Sequence, residues 1–189
     1  MSANPVLETL KHVWSALAPL QAPMAVMGGL ALATWKHPRA TRDVDLLIEM
    51  RADDVPAVLQ HLRASGLRPK RDPPTVKLDG LTLLQLLYAP PESFMDVQVD
   101  LLLAESAYHR AALANRTPMD LPAAGLAFAV LTCEDLILHK LLAGRLIDRA
   151  DAAALVRVNR AALNRTYLAD WAARLNLSGP LAEAWGEAW

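Results

Sequence analysis

The chain has 189 residues, of which 53% are hydrophobic and 21% charged, and its formal net charge is −1. This length suits one compact domain or a catalytic core with a small helical appendage, and the composition excludes long disorder. The near-neutral charge excludes a field drawing nucleic acid to the whole molecule, so any such contact should be local. The single Cys133 excludes an internal disulfide and a cysteine-built zinc site.

Neither a membrane span nor a secretion signal is predicted. No apolar run approaches the roughly 20 residues that cross a bilayer. Residues 1–14 lack the charged segment, apolar run and small-residue cleavage site of a signal peptide. We therefore expect a cytoplasmic protein without a membrane partner.

The first part of the chain alternates helical and strand patterns. Apolar residues recur at helical spacing in three segments, and two shorter apolar runs between them are typical of strands. Gly28-Gly29 separates the first strand from the second helix, and Gly66 ends the third helix. The predicted elements are a helix at 6–18, a strand at 25–27, a helix at 30–35, a strand at 44–48 and a helix at 52–65.

The second part begins with strands and ends with helices. Asp79-Gly80 is a strong hairpin signal between two apolar segments, and Thr132 begins a helical region that lasts to the end. We predict a mixed α/β (α+β) fold, with a core at 1–130 and a helical region at 131–189 packed on it. The predicted elements are strands at 75–78, 81–88 and 94–103, a helix at 104–115, short strands within 119–130, and helices broken near Gly144, Asn164 and 178–180.

Gly28-Gly29 stands where a strand turns into a helix. A helix start offers unpaired backbone N–H groups, and glycine lets a phosphate approach them closely. The alternative is that the two glycines only form a tight connection between the strand and the helix and bind no ligand. The two commonest phosphate-binding loops, G-x-x-x-x-G-K-[ST] and G-x-G-x-x-G, are absent from the sequence.

Two predicted strands carry acidic side chains on one face. Alternation places Asp43 and Asp45 side by side, and it places Asp96 and Asp100 together on the later strand. Adjacent carboxylates repel, so unless water surrounds them they take up a proton or bind a cation, and Mg²⁺ suits such oxygen ligands. Two ions could then serve an in-line displacement at phosphorus. The alternative is a solvated sheet face.

Charged residues elsewhere fit the same chemistry. Lys140 falls on an apolar helical arc with Asp148 and Asp151 nearby, so it either forms an internal salt bridge or meets a triphosphate as a point charge. The first of two basic clusters is well placed to meet phosphates, although a solvated loop explains it equally well. The second could follow an RNA backbone, although a charge run before a hairpin is usually just exposed. The clusters are Lys36, His37, Arg39 and Arg42, and Arg68, Lys70, Arg71 and Lys77.

Three motifs together resemble the polymerase-β-type nucleotidyltransferase superfamily. They are Met27-Gly28-Gly29-Leu-Ala-Leu, then Arg39-Ala-Thr-Arg42-Asp43-Val-Asp45-Leu, then Val99-Asp100-Leu-Leu. The segment 131–151 is similar to the branch that contains AbiEii-like toxins of type IV toxin–antitoxin systems. The resemblance covers about 25–50 and 95–155.

The resemblance implies a mixed sheet flanked by helices and a role for each matching residue. Gly28 and Gly29 would contact the triphosphate, with Arg39 and Arg42 nearby. Lys140 would serve both catalysis and nucleotide binding, with Asp148 or Asp151 as its acidic companion. The implied metal ligands and catalytic carboxylates are Asp43, Asp45 and Asp100, with Asp96 as the alternative to Asp100.

The leading functional hypothesis is a magnesium-dependent transferase. It would move a nucleoside monophosphate from a triphosphate such as ATP to a hydroxyl group, using two Mg²⁺ ions. The acceptor could be a tRNA end, a protein or a small molecule, and the AbiEii-like branch implies a toxin with an antitoxin protein as partner. The alternatives are a non-catalytic nucleotide- or partner-binding module and a drug-modifying nucleotidyltransferase.

Overall fold

An eight-stranded mixed sheet organises the part of the chain that the structure describes, which comprises residues 4–78, 80–91, 93–122 and 125–186 of a computed structural model. The strands are β1 (Met24–Met27), β2 (Asp43–Ile48), β3 (Arg68–Pro69), β4 (Thr75–Leu78), β5 (Leu81–Tyr88), β6 (Val97–Leu103), β7 (Thr117–Leu121) and β8 (Leu126–Val130). Their order is β3-β5-β6-β2-β1-β8-β7, and β4 pairs with the first half of β5, from Leu81 to Leu84.

The centre of the sheet sets the positions of the acidic residues. Strand β2 runs antiparallel to β1 and parallel to β6, which in turn runs antiparallel to β5. In this register Asp45 lies beside Met27 on one side and beside Asp100 on the other. Two positions earlier on β2, Asp43 pairs with Gln98. Two strands far apart in sequence therefore bring their polar faces together.

Helices cover the sheet and continue to the end of the described chain. They are α1 (Pro5–Leu17), α2 (Gly28–Thr34), α3 (Val55–Ala64), α4 (Ala107–Asn115), α5 (Cys133–Ala143), α6 (Leu146–Asn159), α7 (Arg165–Arg174) and α8 (Ser178–Gly186). Four of them begin at side-chain caps, where the first turn donates hydrogen bonds to Asn4, Ser106, Thr132 and Asn164.

The break between α5 and α6 directs the second helix back towards the first. Gly144 adopts φ +66°, a left-handed conformation that glycine reaches without steric penalty, and its N–H bonds to the carbonyl of Lys140. Asn159 near the end of α6 donates to the carbonyl of Trp35 at 2.9 Å. The Trp35 indole donates to the carbonyl of Leu131 at 2.9 Å. These bonds fix α5 and α6 against the end of α2.

One hydrophobic cluster joins the sheet to the helices on both sides of residue 130. It includes Leu10 of α1, Leu46 of β2, Leu101 of β6 and Leu136 of α5, all nearly inaccessible to water. Burial of such apolar surface is the main driving force for folding. Among the described residues, no helix has both the length and the apolar character to cross a membrane. The division at residue 130 stays a prediction.

The predicted elements match the structure with a few shifts that have local causes. Helix α2 begins at Gly28 itself, so the glycines form its first turn and not a loop before it. Strand β6 begins at Val97, three positions later than predicted, which leaves Asp96 outside the sheet. The hairpin between β4 and β5 is confirmed, although Asp79 of its turn lies outside the described residues. The mixed α/β fold is therefore confirmed.

Candidate active site

The glycine pair packs directly against the acidic strand β2. Gly28 has φ +61°, and a Cβ atom there would lie 1.9 Å from Oδ2 of Asp45. A Cβ on Gly29 would lie 2.6 Å from Oγ1 of Thr41. The N–H of Gly29 donates to the carboxylate of Asp45. Both positions therefore require glycine, because any side chain would collide with the segment that carries the carboxylates.

Asp43 is held in place by the loop that leads into β2. Its Oδ1 accepts the backbone N–H of Arg42 at 3.0 Å and the hydroxyl of Thr41 at 3.2 Å. These two donors fix the direction of the carboxylate at the first position of the strand. The side chain of Arg42 is exposed beside it. Thr41 thus contacts both the glycine turn and the acidic strand.

The pKa of Asp45 is strongly raised by the surroundings of its carboxyl group. Burial, together with the negative charges of Asp43 and Asp100, raises its pKa to about 7. The charge of Lys140 and the N–H of Gly29 act in the opposite direction without cancelling the effect. A carboxyl group in such surroundings favours a proton or a cation, because either one relieves the repulsion between neighbouring carboxylates.

Asp100 is the third carboxylate at this point of the sheet. Burial is the largest cause of its raised pKa, while hydrogen bonds from Gln98 and Gln85 act against the rise. Asp96, the alternative considered from sequence, forms an ion pair with Arg68 outside the strand. The sheet register therefore places Asp100, and not Asp96, beside Asp45.

Lys140 lies in a buried cluster of paired charges. Its side chain is 7% exposed, and its Nζ lies 2.8 Å from Asp148 Oδ1 and 3.0 Å from Asp151 Oδ2. Arg145 approaches the other oxygen of Asp148 at 2.5 Å. Burial alone would raise the pKa of Asp148, but the hydrogen bonds from Arg145 and Lys140 hold it below its usual value. The internal salt bridge considered from sequence is present.

Asp151 connects this cluster to the basic segment that follows α2. Oδ1 of Asp151 lies 3.1 Å from Nε2 of His37, and its Oδ2 lies 3.3 Å from Nε of Arg39. The Oδ2 contacts with Lys140 and Arg39 are within ion-pair distance but lack hydrogen-bond geometry. A single buried carboxylate thus holds three basic groups from two distant parts of the chain.

The two clusters lie close enough to influence each other. Lys140 lowers the pKa of Asp45, and the charges of Asp45 and Asp43 add to the raised pKa of Arg145, whose main cause is its bond to Asp148. The carboxylates of β2 and the charged groups of α5 and α6 therefore lie around one region of the molecule. Gln85, Gln98 and Arg145 were not singled out from sequence, and His37 was considered only as part of a basic cluster that could contact phosphates.

Local spacing offered a signal for two of these four residues. Gln98 stands two positions before Asp100 on the same strand face, and Arg145 stands three positions before Asp148 at the start of a helix. His37 is 114 positions from Asp151, and Gln85 meets Asp100 only through strand pairing. Long-range pairing of this kind has no local signature.

The acidic cluster has the chemistry of a divalent cation site. Among the described residues, no three Asp, Glu, His or Cys side chains already stand in an arrangement that would hold a metal ion. The donor set nevertheless fits a hard cation, because Asp43, Asp45 and Asp100 offer only oxygen ligands, and burial together with their mutual repulsion raises the pKa of Asp45.

Comparison with known proteins extends to the fold. No protein-family model matches the sequence, and no curated protein matches it either. The fold is similar to that of an antigenic nucleotidyltransferase-like protein from Paracoccidioides brasiliensis, with a TM-score of 0.55 and 22% identity over 94% of this chain and 92% of that one. It is also similar to ANT(2″)-Ia in complex with adenylyl-2″-tobramycin, with a TM-score of 0.52 and 15% identity over 90% of this chain and 96% of that one.

These similarities define the class of fold. The mixed sheet, its flanking helices and nearly the whole length of the chain correspond to nucleotidyltransferase-like structures. At such low identity the likeness extends to the fold alone, and activity must be argued from the site. The branch of AbiEii-like toxins stays a prediction that rests on the sequence motifs.

Proposed function

We propose that this protein is a magnesium-dependent nucleotidyltransferase that moves a nucleoside monophosphate from a triphosphate to a hydroxyl group and releases pyrophosphate. The observation that carries the proposal is the convergence of Asp43, Asp45 and Asp100 on neighbouring strands, with the pKa of Asp45 raised to about 7. Unneutralised carboxylates that crowd one another are disfavoured unless a cation joins them. The nucleotidyltransferase-like fold gives that cation a use.

In this proposal Asp43, Asp45 and Asp100 are the ligands of the metal. When bound, Mg²⁺ would supply charge stabilisation for the phosphoryl oxygens and lower the pKa of the attacking hydroxyl. Gly28 lets the backbone lie against the Asp45 carboxylate where any side chain would collide with it, and Gly29 does the same at Thr41. The backbone N–H of Gly29 donates to Asp45, beside the proposed metal ligands.

The basic groups around α5 and α6 serve the triphosphate. Lys140 provides a buried positive charge near Asp45, while Asp148 and Asp151 hold its ammonium group in place. Arg39 lies 3.3 Å from Asp151 with its side chain 36% exposed, and the exposed Arg42 lies beside Asp43. Positive groups fixed in advance stabilise developing charge without reorganisation during the reaction.

The reaction then balances as an in-line substitution at the α-phosphorus. The acceptor hydroxyl oxygen forms a bond to that phosphorus, and the bond from the phosphorus to the oxygen bridging to the β-phosphate breaks. The hydroxyl proton passes to one of the three carboxylates, and the electron pair of the broken bond leaves with pyrophosphate.

Two kinds of acceptor have separate support. The complex of ANT(2″)-Ia with adenylyl-2″-tobramycin supports a small hydroxylated molecule, by likeness of fold. The motif resemblance to AbiEii-like toxins supports an RNA end such as tRNA, or a protein, together with an antitoxin partner. Growth arrest on expression favours the toxin, whereas adenylation of purified hydroxylated compounds favours the drug-modifying enzyme.

The fate of a label on the α- or the γ-phosphate of the triphosphate tests the proposed reaction directly. The protein is incubated with Mg²⁺, a total cell extract and each of the four nucleoside triphosphates, labelled at either the α- or the γ-phosphate. We expect the α-label in an acceptor and the γ-label in pyrophosphate. Transfer of the γ-label would contradict the proposal, and triphosphate binding without any transfer would instead establish the non-catalytic module.

A further inference from the structure

Two neutral amide side chains, one on β6 and one on the neighbouring strand β5, donate hydrogen bonds to Asp100. Gln98 lies two positions earlier on the same face of β6, and its Nε2 lies 2.9 Å from Oδ1 and 2.8 Å from Oδ2 of Asp100. Gln85 lies directly across from Asp100 on β5, and its Nε2 donates to Oδ1 at 3.3 Å. Asp45 lies across from Asp100 on the opposite side, on β2.

The hydrogen bonds leave Asp100 with one main direction for a further ligand. An ionised carboxylate has about four lone-pair positions, two on each oxygen. Oδ1 accepts from both Gln98 and Gln85, whereas Oδ2 accepts from Gln98 alone. The position that remains is on Oδ2. Neither amide comes from β2, the strand on which Asp45 lies across from Asp100.

Lys70 fixes which end of the Gln98 amide meets Asp100. The ammonium group of Lys70 donates to Oε1 of Gln98. Lysine has no acceptor, so it can meet only the carbonyl end, and the NH₂ end must then point at Asp100. The backbone N–H of Lys70 also donates to the carbonyl of Gln85 at 3.0 Å. The lysine is thereby tied to the strand that supplies the second amide.

We propose that Gln98, oriented by Lys70 and supported by Gln85, is a positioning residue that aims Oδ2 of Asp100 at a divalent cation shared with Asp45. This inference rests on the proposed function, since it takes the three carboxylates as metal ligands. Groups that hydrogen-bond to metal ligands fix ligand orientation, and their loss commonly weakens metal affinity about 10- to 100-fold. Gln98 and Lys70 perform this service without adding a negative charge to the crowded carboxylates.

The test is Mn²⁺ binding by the whole protein in the absence of nucleotide, measured by electron paramagnetic resonance. We expect Gln98→Leu to raise the Mn²⁺ dissociation constant about 10-fold or more. Lys70→Met should raise it about threefold, because the amide loses its fixed orientation, and Lys70→Arg should restore binding, because a guanidinium also donates to Oε1. Lys77→Met is the matched control, since this exposed lysine lies on β4.

The outcomes separate this inference from the proposed function. Gln98→Leu binding Mn²⁺ within twofold of wild type, or equal loss in Lys70→Arg and Lys70→Met, would overturn the positioning role. If Gln98→Leu does not fold, as judged by circular dichroism, the Lys70 pair decides, because Lys70 is exposed. Wild type that binds no Mn²⁺ overturns both proposals. Variant-sensitive Mn²⁺ binding without transfer from any triphosphate supports the positioning role and overturns the transferase.

Discussion

A partly buried group of charges on the sheet and a buried group on the helices lie near each other in this molecule, and they are balanced in opposite ways. On β2 and β6, Asp43, Asp45 and Asp100 crowd together, and burial with mutual repulsion raises the pKa of Asp45 to about 7. On α5 and α6, Lys140 neutralises Asp148 and Asp151 at 2.8 and 3.0 Å. The carboxylates of the helical cluster have ion-pair partners, whereas in the described part of the chain no basic side chain lies within ion-pair distance of the three strand carboxylates.

The contrast separates a cluster whose charges are paired within the protein from a cluster whose like charges repel one another. Buried ions that are paired and hydrogen-bonded contribute a fixed local geometry, and removing one partner is strongly destabilising. Buried like charges without a partner reduce stability, so their presence points to a ligand that relieves them. We therefore expect variants of the helical cluster to lose stability, and variants of the strand cluster to gain it while losing activity.

The largest expected effect is on the helical cluster. Lys140→Met should lower the free energy of unfolding by about 3–5 kcal/mol, because it leaves Asp148 and Asp151 buried with fewer positive partners. Urea denaturation at pH 7 measures the change. The matched control is Lys77→Met, whose exposed lysine should matter by less than about 0.5 kcal/mol. Equal stability of both variants would contradict the assignment of a closed ion-pair cluster.

The strand cluster should respond in the opposite sense. The pKa of Asp45 is about 7 in the native state and 3.8 in the unfolded state. Between these two pH values the native state binds more protons than the unfolded state, so the stability of the wild type falls as the pH rises from 3.8 to about 7. Asp45→Asn removes this loss. In metal-free buffer at pH 8 it should be more stable than wild type by about 2–4 kcal/mol, with little difference at pH 4. Thermal melts across this range measure the sign.

A side chain at the glycine turn should disturb both stability and metal binding. Gly28→Ala places a methyl group where Asp45 Oδ2 lies and forces alanine to φ +61°, so we expect a loss of about 2–3 kcal/mol, measured by urea denaturation. Gly80→Ala is the matched control, because Gly80 also has a positive φ but a Cβ there would meet no atom within 4 Å. Weakened Mn²⁺ binding in Gly28→Ala alone would sharpen the role of Asp45.

The smallest effect is expected at the rim of the helical cluster. Arg145→Met removes one partner of Asp148 but leaves Lys140 in place, and the Arg145 side chain is 72% exposed. Exposed ion pairs contribute about 0–1 kcal/mol, so urea denaturation should show a loss below about 1 kcal/mol. A loss as large as that of Lys140→Met would mean that Arg145, and not Lys140, balances Asp148.

The sequence predicted the parts of the site that depend on local periodicity. Alternation along a strand placed Asp43 with Asp45, and it separated Asp100 from the buried face of β6. The pairing of Asp45 with Asp100 could not be predicted from these patterns, because it depends on which strands become neighbours and in which register. The resemblance supplied that grouping, and the geometry supplied the choice of Asp100 over Asp96.

The contacts that hold the site residues in place were harder to predict from sequence, because most of them also depend on which elements become neighbours. Lys140 and Asp148 are eight positions apart across the turn at Gly144, so local spacing could place them near each other. His37 reaches Asp151 only because the segment after α2 packs against α6, and Lys70 reaches Gln98 only through the pairing of β3, β5 and β6. Contacts of this kind follow from the assembled fold.

Pyrophosphate release with Mg²⁺, nucleoside triphosphates and cell extract tests the central claim most directly, using wild type, Asp45→Asn and Asp53→Asn. Asp53 is an aspartate outside the strand cluster, with a side chain that is 84% exposed. We predict that Asp45→Asn lowers the rate at least about a hundredfold, since a metal contributes several kcal/mol to such a reaction, while Asp53→Asn leaves it unchanged. Wild-type activity retained by Asp45→Asn would contradict the account.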